Sequence, residues 1–433
     1  MASLDFERMT AGYGISGFPE GLAPLFEQYA AAYAPHPLLR RDFLKELCVR
    51  FEAGAAAQER LLSGLAEIEE NPELLLLSNF LANDMCAARH RLDMDDYAAI
   101  ELKSGMKNAD LFSCLLLFAC IEPSMERLAQ LGVPRPEYEK VPFVPAKRQL
   151  AKLRDTGDGR VSDFPWDMNF YTCSLFQIGR FNFIPFRLDD PLKVFRRGNE
   201  TVAFFTQPMH IRRDGQLDGV NGQFDPEAFE IRYEEKNGTA TGWPICPAGA
   251  VQRSPRSLSL NEWELVLQEG DILMGFHIPG GPGYDPQHLR DDSLKCSAFY
   301  SKWFPEIDVK GFGSESWLYD PHLAMVLEGR GNIPAMQRQM YIYPIASGDG
   351  QFFGELFGKK MPLANAPRAS RLQRSAAEYM EKGGRFTPCS MFILTDDLPR
   401  VGCEDIYACE ADYKAVWDSL SDPPLYPQEG AQV

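Results

Sequence analysis

Gly270-Asp271-Ile272-Leu273-Met274-Gly275-Phe276-His277-Ile278-Pro279-Gly280-Gly281-Pro282-Gly283-Tyr284-Asp285-Pro286 carries three structural signals in succession. The apolar run predicts a buried strand over Asp271 to Ile278. The glycines after Pro279 predict a turn. Asp285 is a natural helix cap with Pro286 at the first helical position. The helix runs to Trp303, with Leu289, Cys296, Tyr300 and Trp303 on one face. A strand, a glycine turn and a helix start can together receive a phosphate, because bare N–H groups and the positive end of the helix dipole meet there. A tight turn without a ligand is the plainer reading. The stretch is neither a Walker loop nor G-x-G-x-x-G, and Pro282 removes one donor.

Outward toward the C-terminus the pattern stays strand-rich. Val309 to Leu318, Met340 to Ile345 and Ser390 to Thr395 predict strands, and residues 321–339 and Leu372 to Glu381 predict helices. On the other side, Leu175 to Pro185 and Val202 to Ile211 predict strands, the second ending in the turn Arg213-Asp214-Gly215. Asn237-Gly238 between Phe229–Tyr233 and Gly238–Pro244 is a hairpin signal.

The first ~130 residues read as helical by the i, i+3, i+4 pattern. Segments around Phe43 to Phe51, Leu61 to Ile68 and Leu74 to Leu81 repeat it, and Asn71-Pro72 marks a helix start. Asp93 to Leu102 and Asn108 to Leu131 predict two more helices, stopped by Gly132-Val133-Pro134. Five prolines between Pro134 and Pro165 then predict a connector, interrupted by a short helix near Ala146 to Leu153. The division is a helical domain over 1–133, a connector over 134–164, an α+β domain over 165–400 and a tail over 401–433.

Composition narrows the function. The chain has 433 residues, 44 basic against 61 acidic, for a net charge of −17. An anionic surface without a basic stripe argues against nucleic-acid binding. No run reaches the ~20 apolar residues of a membrane span. The start MASLDFERMT lacks the basic and apolar regions of a secretory signal. Ten cysteines, several inside apolar runs, read as reduced core residues, and the expected setting is cytoplasmic.

Several short motifs in order resemble the bacterial acyltransferase-like proteins that join a helical N-acyltransferase N-terminal domain to a GNAT-like C-terminal domain. They are Tyr171-Thr172-Cys173-Ser174-Leu175-Phe176-Gln177-Ile178-Gly179-Arg180-Phe181-Asn182-Phe183, Trp263 through Gly270-Asp271, His277-Ile278-Pro279, Ser316-Trp317-Leu318-Tyr319-Asp320-Pro321-His322-Leu323, Gly331-Asn332-Ile333 with Gln337, and Leu372-Gln373-Arg374. They span roughly residues 165–395. In this chain Gly280-Gly281 follow Pro279 directly, so the turn is one residue shorter than the family's usual one.

The resemblance implies an α+β chain, helical first and then a mixed-sheet GNAT-like domain. It implies acyl-CoA or acetyl-CoA as co-substrate, no metal, and a small-molecule amine acceptor that attacks the thioester directly. Two adjacent strands, Asp271 to Ile278 and Val309 to Leu318, would part around the pantetheine arm. Ile278, Gly280, Gly281, Gly283 and Tyr284 would receive the pyrophosphate. His277 and Glu315 are the candidate bases and Tyr319 the candidate acid. Each has a bland alternative: a packed histidine, a solvated carboxylate, a core tyrosine. Arg180 reads as structural before phosphate-binding, and Arg196-Arg197 and Arg212-Arg213 as solvated pairs before contacts to the 3′-phosphate.

Rival chemistries fit less well. A cupin-type metal site would have to gather His277 with the distant His210 and His288. Cys114/Cys120 and Cys403/Cys409 lack the C-x-x-C spacing of zinc sites. A covalent thiol mechanism through Cys173 or Cys296 would need a nearby histidine, and both cysteines sit on apolar faces that read as core. A GNAT-like protein that has lost activity and keeps a ligand- or partner-binding role is the alternative, and the shortened turn favours it.

Overall fold

Capping residues start the helices of the first half. The Asp5 side chain accepts from the backbone N–H of Arg8, and Asn71 from that of Leu74, with Pro72 at the first helical position. The computed structural model describes residues 5–87, 92, 97–172, 174–279, 281–409 and 411–414. The chain divides into two units: one runs to Ile178 and takes in Asn182–Phe186, and the other holds Gly179–Phe181 and the chain from Arg187 onward.

The first unit is helical up to Met168. Helices Arg41–Arg50, Ala55–Glu69, Pro72–Met85 and Phe112–Ala119 bury Leu44, Leu61, Leu65, Leu77 and Leu115 in one core. The expected helix Asn108–Leu131 is two, Phe112–Ala119 and Ile121–Gln130, meeting at Cys120. Of the expected helix Asp93–Leu102, residues 93–96 lie outside the described residues. Residues 97–102 are extended, and Glu101 bridges Ser16. The tyrosine at its start is fully buried, and its hydroxyl donates to Asp84 at 2.6 Å. Residues 134–164, read as a connector, hold helices Arg135–Tyr138 and Phe143–Thr156, and Phe143, Ala146, Leu150 and Leu153 join the core.

The second unit is α+β. Its central strands are β1 (Ile272–His277), β2 (Val309–Ser316), β3 (Tyr341–Pro344) and β4 (Cys389–Leu394). Their order is β1-β2-β4-β3, with β1 and β2 parallel and the other pairs antiparallel. Helix α1 (Pro286–Trp303) crosses from β1 to β2 and buries Leu289, Cys296 and Tyr300, while Trp303 is only partly covered. An antiparallel five-stranded sheet packs nearby, in the order Ala250–Val251, Pro244–Cys246, Glu200–Phe205, Leu192–Arg197, Glu264–Gln268. Tyr341 ties the sheets together: its hydroxyl accepts from the N–H of Ala203 at 3.0 Å and donates to the Ile245 carbonyl at 2.5 Å.

The Asn237-Gly238 signal is realised. Lys236 pairs with Thr239, and both turn residues have positive φ, 52° and 76°. This is the mirror-image turn that matches strand twist. The predicted helix over 321–339 is two, Pro321–Val326 and Asn332–Gln337, because Glu328, Gly329 and Gly331 between them adopt positive φ. A helix over Gly350–Phe357 was not anticipated.

Leu115→Ala empties a fully buried position of the first core. It is expected to cost about 2–5 kcal/mol. Urea unfolding followed by far-UV circular dichroism should show helical signal lost at lower urea.

Candidate functional site

β1 and β2 pair at four positions only: Ile272 with Val309, Leu273 with Gly311, Met274 with Phe312 and Gly275 with Gly313. β1 continues to His277. β2 also continues, but its remaining partners are on β4, as far as Ser316 opposite Cys389. The ladder between two neighbouring parallel strands therefore ends inside both of them. Where it ends, the Ser314 hydroxyl donates to the Phe276 carbonyl at 3.1 Å, so a side chain replaces the missing backbone donor.

Strand alternation sorts the candidate residues. Continuing the register past Gly275 and Gly313 puts His277 and Glu315 in one row on one face, and Phe276 and Ser314 on the other. His277 and Glu315 both present exposed surface. Protein atoms crowd the His277 ring and lower its pKa to about 4 by penalising the imidazolium, a penalty its exposed edge lets water offset in part. The imidazole is thus neutral at pH 7. The row extends across the sheet: Glu315 faces Ser390, and Ser390 faces Tyr343. The Tyr343 hydroxyl donates to Asp190 at 2.7 Å. Burial raises the Asp190 pKa, the tyrosine opposes that rise, and the carboxylates of Asp189 and Glu315 add to it.

Tyr319 ends a short 3-10 turn, Trp317–Tyr319, just past β2. The Ser316 hydroxyl accepts from the N–H of Leu318 at 3.2 Å, and Gln337 Nε2 donates to the carbonyls of Leu318 and Asp320 at 2.8 and 2.9 Å. Asp320 in turn takes His322 N, His322 Nδ1 and Thr387 N at 2.7, 2.6 and 2.5 Å. The Tyr319 ring is fully buried, and its hydroxyl, close to Ser314, makes no hydrogen bond among the described residues. The same holds for the buried hydroxyl of Tyr284. Burial pushes both phenols well above the usual tyrosine range and keeps them as proton donors.

The glycine turn joins β1 to α1. Asp285 caps the helix, accepting from His288 N at 3.0 Å and pairing with His288 Nδ1 at 2.7 Å. Arg180 reaches in from the Gly179-Arg180 turn. Its Nε donates to the Pro282 carbonyl at 2.5 Å, and Nη2 donates to the carbonyls of Gly281, at 3.0 Å, and Pro279. The N–H groups of Gly281, Gly283 and Tyr284 meet no protein acceptor among the described residues. Ile278 is half-buried beside them, and Gly280 lies outside the described residues, as does Cys173.

The other arginine pairs are spent on ion pairs. Arg196 bonds Asp397 at 2.6 Å, Arg197 reaches Glu200 and Glu262, and Arg213 holds Asp225 at 2.7 Å. Arg212, read as solvated, is buried with Asp214. Among the described residues no group of three His, Cys, Asp or Glu side chains is arranged to hold a metal. Sequence reasoning overlooked Ser314, the Asp320–His322 pair and the Asp190–Tyr343 bond. Only the Asp-Pro-His spelling after Tyr319 carried a hint of the second.

Residues 175–390 match the family of GNAT-like C-terminal domains. The second part of the chain is such a domain, preceded by helices. Solved acyltransferase structures share the architecture. One in complex with decanoyl-CoA and teicoplanin is 17% identical, with a TM-score of 0.54 over 90% of this chain and 99% of that one. Another with decanoyl-CoA is 16% identical with a TM-score of 0.55 over the same shares. One with CoA and 10C-teicoplanin is 16% identical with a TM-score of 0.54, again over 90% and 99%. No curated protein matches the chain by sequence.

The His277 ring should titrate in an NMR pH series well below the ~6.5 of a free histidine. Its folded-state pKa is the lower one, so between those values the unfolded chain binds the proton first. This group's contribution to stability therefore falls as pH drops from about 6.5 toward 4. A midpoint at or above 6.5 would overturn the crowding account.

Proposed function

We propose that the chain is an acyl-CoA-dependent N-acyltransferase that transfers an acyl group to an amine of a small molecule. The observation that carries this reading is the end of the β1–β2 ladder. There a neutral imidazole, a carboxylate, a buried phenol and a turn whose N–H groups meet no protein acceptor among the described residues come from consecutive elements. The fold shared with acyltransferases crystallised with decanoyl-CoA and teicoplanin supports the choice of acyl-CoA and a small-molecule acceptor.

The pantetheine arm lies between the parted strands and the pyrophosphate at the turn. Gly281, Gly283 and Tyr284 supply donors, and Ile278 supplies an apolar edge. The acceptor ammonium gives a proton to His277 Nε2 or Nδ1, and its nitrogen attacks the thioester carbon. His277 binds protons weakly on its own, so the proton it takes passes on readily to water. The C–S bond then breaks as Tyr319 protonates the departing thiolate, the second proton on the attacking nitrogen passes to the Tyr319 phenolate to leave a neutral amide, and His277 gives its proton to water. Asp190 and Glu315 make this face suit a cationic acceptor. Reduced thiols fit the cytoplasm as the setting.

One observation favours an inactive ligand-binding protein instead. The Asp285 carboxylate already sits on the helix start, and the turn before it is short. Turnover decides between the two. Release of free thiol from decanoyl-CoA or acetyl-CoA with a panel of amines is expected. His277→Ala should lower kcat/KM by roughly 10²–10⁴-fold, and Tyr319→Phe should lower kcat. In both variants the thermal shift with CoA should persist. For the wild type, the acid limb of kcat/KM should fall near pH 4 rather than 6.5. A saturable CoA shift without thiol release would establish the inactive binder. No shift with any CoA species would remove both readings.

A further inference from the structure

Arg180 and the turn it grips are about a hundred residues apart in sequence, and the contact between them is built rather than incidental. The Asp292 carboxylate, buried on α1, accepts the backbone N–H of Arg180 at 2.6 Å. Gly179 makes this approach possible: its φ is +64°, and a Cβ there would lie 2.1 Å from Asp292 Oδ1. Gly283 wraps the arginine from the other side, with its missing Cβ 3.2 Å from Arg180 Cδ. The circuit is closed: α1 fixes Arg180, and Arg180 fixes the turn that starts α1.

In a trans peptide the carbonyl and the following N–H point in opposite directions. The grip on the Pro282 carbonyl therefore turns the N–H of Gly283 away from the arginine. The guanidinium has no carboxylate partner among the described residues, so its charge also remains beside the turn.

We infer that Arg180 is a positioning residue for the nucleotide end of acyl-CoA, holding the turn's carbonyls inward so that the Gly283 N–H faces the pyrophosphate. The inference rests on the acyltransferase reading. It assigns Arg180 to the turn's backbone, not to the phosphate itself. A lysine keeps the charge but not the fork that spans several carbonyls. The role should therefore fail in Arg180→Lys as well as in Arg180→Met.

The test compares CoA with an acyl-pantetheine that lacks the nucleotide. Dissociation constants for CoA would come from calorimetry, and kcat/KM would be measured for both thioesters. Expected for both variants is roughly a ten- to hundred-fold loss of CoA affinity. Turnover of the acyl-pantetheine should stay within about twofold of wild type, a difference that general misfolding would not produce. Arg180→Lys binding CoA like the wild type would reduce the residue to a charge and overturn the inference. Equal losses with both thioesters would overturn it too, marking a structural role only. A wild type that binds no CoA would defeat the acyltransferase reading, and this inference with it.

Discussion

A parallel ladder that stops while both strands continue leaves backbone groups that water or protein must satisfy. The geometry of the second unit depends on how this is done between β1 and β2. β2 keeps its pairing with β4 as far as Ser316, and Ser314 caps the Phe276 carbonyl from the side. The small residues Gly275 and Gly313 end the shared ladder. Beyond them alternation separates two rows: His277 with Glu315 on one face, Phe276 with Ser314 on the other.

Electrostatics follow the same economy. A chain with a net charge of −17 has few cations to spare. Arg196, Arg212 and Arg213 are committed to Asp397, Asp214 and Asp225. Arg180, read from sequence as structural, borders the glycine turn and holds carbonyls rather than a carboxylate among the described residues.

The sequence revealed elements whose ends are chemically marked. Asp285 and Pro286 define α1 to the residue, and Asn237-Gly238 defines its hairpin. It misled where a local signal has two meanings. Pro145 was read as connector material, yet it falls in the first turn of Phe143–Thr156, where a missing N–H costs nothing. Gly350 and Gly354 hid a helix that Phe352, Phe353 and Phe357 stabilise by packing. His277, Glu315 and Tyr319 were placed from sequence at or just past the ends of two strands, and the structure puts them there. That His277 and Glu315 share a face was not legible, since it depends on the β1–β2 register. The Arg180 grip was equally illegible, because no local pattern announces which turn a distant side chain will reach.

That grip also bears on how the molecule is made. The contacts from Arg180 to the turn close loops of 99 to 102 residues. During synthesis the Gly179-Arg180 turn leaves the ribosome long before its counterpart, and contacts so remote in sequence form late. The five-stranded sheet, encoded between them, can assemble in the interval. The glycine turn cannot take its final shape before α1 brings Asp292 to the Arg180 N–H.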